Sequence, residues 1–297
     1  MIVGGNEMMR SQCWTMFRRW PVATAIASGV VLSILLGVGI VLLQGDAGLA
    51  SSRDLSSGVA GDRVLRIGLD YVPPEKSPDK RIYVEEGFEA DLALQIGERL
   101  QARIQLVQTS PQERERALHD GRVDLLLIRS TPAERFSAEI TRLDARFESG
   151  QSLAMRSDRP LREWGDLAGK TVCATEANER GQRIARGYGA VVTTVRAPAQ
   201  ALMLVRTGEC AAAIHDRTSL DHLFGKMSWQ KFSATLPPVQ PSRLVALVSR
   251  ERGGLAGEVE RALSAIGTAE QWEQRTKRWA QLVAFEVYRD QVATDCH

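Results

Sequence analysis

Two clusters of polar residues stand at the ends of apolar runs. Leu125–Arg135 reads LLLIRSTPAER: the run stops at Arg129, Ser130, Thr131 and Pro132, and Arg135 follows. Thr207–Asp216 reads TGECAAAIHD and ends in a carboxylate. Arg129 and Asp216 each lie eight positions after a glycine, Gly121 and Gly208. A guanidinium and hydroxyls can hold a carboxylate, and a carboxylate can accept from an ammonium. Facing each other across one cleft, the two clusters would suit a zwitterion. Plainer roles also exist. Asp216 could cap a helix before Ser219, and Arg135 could be solvated or pair with Glu134 or Asp144.

The elements that must position these residues alternate. Val64–Leu69, Arg103–Val107 and Asp124–Ile128 read as strands, separated by helical stretches at Gly87–Leu100 and Pro111–Asp120. Thr171–Thr175, Val191–Val195 and Ala211–His215 repeat the pattern around helices at Asn178–Gly187 and Pro198–Arg206. Gln151–Met155 and Arg243–Ser249 are extended segments at the junctions, and Gly254–Ile266 and Ala269–Ala284 are helical. Successive βαβ units imply parallel sheets with helices on both faces. Two such sets imply two lobes, and ligands of open α/β sheets bind beyond the carboxyl ends of the strands. The expected division is a lobe of 63–155 plus 243–290 and a lobe of 156–242, two doubly wound sheets joined by a hinge.

The 297 residues are 25% charged and 44% hydrophobic, with formal net charge +2. No basic stripe with interleaved aromatics suggests nucleic acid. His119, His215, His222 and His297 are scattered, and neither CxxC nor HExxH occurs, so no metal or other cofactor is expected. Val22–Leu43 carries no charge; its 22 residues would form a helix of roughly 33 Å, enough to span a bilayer. Arg10, Arg18 and Arg19 precede it, which places residues 1–20 in the cytoplasm, a signal-anchor helix at 21–43 and a Gly/Ser-rich linker at 44–62. The soluble part then lies outside the cytoplasmic membrane. Cleavage near Gly48-Leu49-Ala50 would instead release it to the periplasm. Disulfides persist there. Cys13 is on the other side, so Cys173, Cys210 and Cys296 leave one bond and one thiol.

Five motifs in order carry a family resemblance: LRIGLD (Leu65–Asp70), GFEADLALQIGERL (Gly87–Leu100), DGRVDLLLIRSTPAER (Asp120–Arg135), DLAGKTV (Asp166–Val172) and TGECAAAIHD (Thr207–Asp216). The chain from about Leu65 to Trp279 resembles the family 3 bacterial solute-binding proteins, periplasmic amino-acid receptors of ABC uptake systems. The resemblance implies a two-lobed, type II periplasmic-binding-protein-like α/β fold. It implies that Arg135 pairs bidentately with a ligand carboxylate, that Ser130 assists, and that Asp216 accepts from the ammonium. Arg129, where the family has a small or apolar residue, either reaches a ligand side-chain carboxylate or faces solvent. Asp70 and Tyr71 become ligand-binding positions, although Tyr71 comes early and Pro73-Pro74 stand where the aromatic platform usually lies. Ala177 and Asn178 replace the usual Gly-Thr or Gly-Ser; Asn178 can still cap and hydrogen-bond. Cys173 and Cys210 match a cysteine pair of the general L-amino-acid receptors, which implies a disulfide between them.

The expected function is capture of a small polar solute, an amino acid or related zwitterion. Its partners would be an ABC permease or a membrane sensor. Two alternatives remain open: an enzyme resembling cyclohexadienyl dehydratases, with Glu176 or Glu179 as general acid, and a degenerate lobe pair that binds a protein.

Overall fold

The computed structural model describes residues 63–75 and 81–294, with side chains to Asp290. The expected cytoplasmic terminus, membrane helix and linker, with Cys13 and Cys296, lie outside the described residues. Among the described residues no helix is long and apolar enough to cross a membrane.

In the first half, β1 (Val64–Leu69) lies between β2 (Arg103–Gln108) and β3 (Leu125–Ser130), all parallel. Helices α1 (Glu89–Leu100) and α2 (Arg114–His119) make the crossovers. In the second, β5 (Thr171–Thr175) lies between β6 (Val191–Val195) and β7 (Ala212–Asp216), also parallel. Here α3 (Glu179–Gly187) and α4 (Pro198–Thr207) connect the strands. Gly121 and Gly208 each follow a crossover helix with φ of 65° and 87°, left-handed backbone that other L-residues rarely adopt. The shared eight-residue offset thus has a common cause: one helix-ending turn, one strand, one polar residue at the strand's end.

The expectation of two separate, parallel sheets is corrected. β4 (Ile140–Met155) is 16 residues long, about 50 Å at the usual rise, so it serves both halves. β4 runs antiparallel to β8 (Val239–Ser249) between Ile140 and Gln151, and antiparallel to β7 from Gln151 to Met155. β8 also pairs antiparallel with β3. One eight-stranded sheet results, in the order β2-β1-β3-β8-β4-β7-β5-β6. The chain leaves the first half along β4 and returns along β8, so the two crossing strands point in opposite directions. Gly150 lies where they crowd: an added Cβ would sit 2.9 Å from the Pro238 Cβ and 3.1 Å from the Val239 carbonyl oxygen.

Apolar side chains cover both faces. Ala117, Leu118, Leu126, Ile128 and Leu247 fill one side of the first half. Leu153, Trp164, Leu167, Val172 and Ile214 fill one side of the second. The largest cluster joins α1, α4, α5 (Arg217–Phe224) and α6 (Gly253–Ile266) to α7 (Ala269–Thr294). α7 packs along α4 and α5, yet its Trp272 Nε1 donates to the Ala145 carbonyl of β4 at 2.8 Å. It therefore spans both halves. Cys173 and Cys210 are disulfide-bonded, as the resemblance implied.

Candidate functional site

The strand ends of both halves open on one cavity of about 1580 Å³. That exceeds the roughly 300–1,000 Å³ of ordinary small-molecule sites, so the residues that matter must be found by chemistry. Arg129 leaves the end of β3 and Asp216 the end of β7, and their side chains form a direct ion pair. The sequence offset therefore identified two groups that do meet. Arg129 Nε also pairs with Glu89 Oε1 at 3.2 Å, and its guanidinium lies 4.6 Å from the centre of the Phe147 ring, a favourable cation–π position. Asp216 occupies the residue before α5 without capping it. Its second oxygen accepts from Gln151 Nε2 at 2.9 Å.

Asn178 is the N-cap of α3, accepting from the Gly181 N–H at 2.9 Å. Its amide also donates to Gln151 Oε1 at 2.8 Å. It thus holds the glutamine that holds Asp216. Burial pushes the Asp216 and Glu89 carboxyls up from the usual carboxylate range, with Arg129 opposing and neighbouring carboxylates adding to the rise. Burial draws the Arg180 guanidinium down to about 10, so it stays cationic near neutral pH.

Three contributors have no clear sequence signal. Glu89, Gln151 and Arg180 are polar residues beside element ends, where solvated side chains are ordinary. Arg180 Nη1 donates to Ser242 Oγ at the crossing strands. Arg180 Nε and Nη2 and Arg129 Nη1 are buried without a hydrogen-bond partner, and both arginines line the cavity.

Asp70 and Tyr71 also line the cavity. Asp70 is engaged by Arg114, whose Nη2 lies 2.6 Å from Asp70 Oδ2; Arg114 also pairs with Glu134 at 2.9 Å. Arg135 and Ser130 are not brought to the cavity wall. Arg135 is exposed and donates to the Pro132 carbonyl oxygen of its own loop at 2.6 Å. Ser130 is buried, and its hydroxyl donates to the Thr131 carbonyl oxygen at 3.3 Å. Of the two candidate general acids, Glu176 is exposed, and Glu179 lines the cavity and pairs with Arg183 at 3.6 Å. Among the described residues no cluster of His, Cys, Asp and Glu could hold a metal ion.

A strap from Arg81 to Gly87 closes one side. Glu85 pairs with Arg196 and Glu86 Oε2 lies 2.7 Å from His215 Nδ1. Thr175 Oγ1 adds a bond to Glu86 at 3.3 Å. Trp279 Nε1 donates to the Glu85 carbonyl at 3.0 Å, and the Val84 N–H donates to Glu286 at 2.8 Å.

Two three-stranded parallel units on a shared, curled sheet, with a cavity that carries charged side chains between them, define a two-lobed periplasmic-binding-protein-like fold. The model of the bacterial extracellular solute-binding proteins, family 3, matches residues 65–282, and the chain belongs to that family. A relative is the ABC transporter glutamine-binding protein GlnH of Bacillus subtilis (strain 168), 24% identical over 200 residues, covering 65% of this chain and 72% of GlnH. The fold is shared with an ancestral cationic amino acid solute-binding protein, at TM-score 0.52 and 17% identity over 74% of this chain and 97% of that one. It is also shared with the GluR0 ligand-binding core in complex with L-glutamate, at TM-score 0.50 and 20% identity over 73% and 98%.

Proposed function

We propose that the protein is a membrane-tethered extracytoplasmic receptor that closes two lobes on a small polar solute. It would pass the solute to an ABC-type permease or report it to a membrane sensor. The lobes are residues 63–155 with 243–290 and residues 156–242, with β4, β8 and α7 running between them. Tethering rests on the uncharged segment Val22–Leu43 and the arginines before it. The observation that carries the reading is the meeting of Arg129 and Asp216 from opposite halves, beside guanidinium donors still unpaired.

Binding of a solute to the folded state alone must raise the melting temperature by mass action. The test is a thermal-shift screen of the oxidised, full-length protein in mild detergent against amino acids, dicarboxylates and opines. The expected result is a hit whose shift changes in Asp216→Ala, because that substitution releases Arg129 and Gln151 at the cavity wall. Arg135→Ala decides a second question: loss of the hit would mean the Arg135 loop turns inward on binding. Silence across the whole panel would overturn small-solute capture.

A further inference from the structure

Around Asp216 the hydrogen-bond ledger is one-sided, whereas the unpartnered acceptor of the cavity wall, Glu286 Oε2, belongs to α7 beside the strap. Both oxygens of Asp216, 6% exposed, are taken, one by Arg129 and one by Gln151. Both oxygens of Glu89 are taken, one by Arg129 Nε and one by the Phe88 N–H at 2.9 Å. The side-chain oxygen of Gln151 is taken by Asn178. The groups left over around Asp216 are donors: Arg129 Nη1, Arg180 Nε and Arg180 Nη2. Arg180 lines the same cavity as Arg129 and Asp216, and four charges act on it: Asp216 and Glu134 attract, Arg129 and Arg183 repel.

The chemistry of those donors is specific. Nε and Nη2 share one edge of a guanidinium, and that edge donates two parallel hydrogen bonds to a carboxylate. A buried, unpaired cationic donor is costly, so an oxyanion arriving there is strongly favoured. An ammonium arriving at the same place meets two guanidiniums, with the oxygens of Asp216 and Glu89 already bonded and the nearby Glu134 and Glu179 paired to Arg114 and Arg183. Arg129 already sits against Asp216 as a ligand's ammonium would.

We infer that the solute is a small carboxylate anion carrying no ammonium group, a 2-oxo acid or a simple dicarboxylate, held by Arg180 with Arg129. This deepens the solute-capture reading and rests on it. Arg129 is then a specificity residue: it fills the ammonium position from within the chain. Arg180, held to the crossing strands through Ser242, supplies the bidentate edge.

The test is calorimetric titration of the full-length protein with matched pairs differing at the amino group: 2-oxoglutarate against L-glutamate, succinate against L-aspartate, pyruvate against L-alanine. The expected result is binding by a nitrogen-free member at least tenfold tighter than by its amino acid. Equal binding, or binding by the amino acid alone, overturns the inference and leaves solute capture standing. No binding by any member, with silence in the wider screen, overturns both. Two variants sharpen the result. Arg180→Met should weaken the anion at least tenfold; unchanged affinity counts against the assignment. Arg129→Met frees Asp216, so it should bind the matching amino acid better than the wild type does. Failure to gain it would refute the claim that Arg129 occupies the ammonium position. The wild-type titration needs no variant to fold.

Discussion

Arg129 is the cation for two carboxylates at once, the buried Asp216 and the half-buried Glu89. Removing one partner of a buried ion pair leaves the other charge uncompensated, at about 3–5 kcal/mol. A carboxyl can escape part of that cost by taking a proton. Burial has already raised both carboxyls. The sign follows: their contribution to stability is fully present below the unfolded carboxyl pKa of about 4 and is lost as pH rises through the raised folded values. Arg129→Met should therefore destabilise more at about pH 8 than at about pH 5, as urea titrations at the two values would show. A pH-independent loss would mean that the carboxyls do not take up the proton. Glu89→Gln removes one titrating group, so the wild type should lose stability relative to this variant as pH rises. At this scale the sequence was half legible. Arg129 and Asp216 follow from strand ends and helix-ending glycines. Arg180, Glu89 and Gln151 acquire their roles through tertiary contacts, Glu89 with Arg129 on β3, Gln151 with Asp216 on β7 and Arg180 with Ser242 on β8, and no local pattern encodes those contacts. The family motif drew attention to Arg135, yet in this conformation its guanidinium bonds the carbonyls of its own loop.

At the scale of elements, the strands with local signals came out to the residue: Val64–Leu69, Thr171–Thr175 and Val191–Val195. The first part of β4 was missed although it alternates. Leu143, Ala145 and Phe147 are buried while Arg142, Asp144, Arg146 and Glu148 point outward. A single alanine among four charges weakens the period-two signal, and a register shift between Asp144 and Phe147 interrupts it. The sense of pairing was beyond local reach, because it depends on where the chain returns. The disulfide joins β5 to the turn before β7, enclosing α3, β6 and α4. With its ends 37 positions apart, the chain-entropy model gives it about 4 kcal/mol. The Cys173→Ala/Cys210→Ala double variant should lose about 2–4 kcal/mol of stability. Reductant should lower the melting temperature of the wild type and leave the variant unchanged. A variant as stable as the oxidised wild type would show that the bond constrains nothing the fold does not already fix.

For the whole molecule, the question is what couples the two halves. β4, β8 and α7 are continuous through both, so they can bend but not separate. The strap is different, because its contacts are side chains that can release. Glu86 reaches His215 on β7 and Thr175 on β5, then the chain turns at Gly87, with φ of 78°, into α1 of the first half. His215 is fully buried and its Nε2 has no hydrogen-bond partner. Glu86→Ala would strip the other ring nitrogen too, at about 1–3 kcal/mol for a buried polar group left unsatisfied. Glu86→Gln keeps a group that can bond both His215 and Thr175, so it should cost under about 1 kcal/mol. If the strap couples the halves, Glu86→Ala should speed amide exchange along Arg81–Phe88 and at the ends of β5 and β7 together. Exchange in the middle of α1 should stay as it is, because local openings follow the contacts that are lost. A bound solute that favours the closed arrangement should restore protection in the variant, and its affinity should fall by the fraction of closed protein lost. Faster exchange in the strap alone, with β5, β7 and affinity unchanged, would make it a surface clasp and leave β4, β8 and α7 as the whole of the coupling.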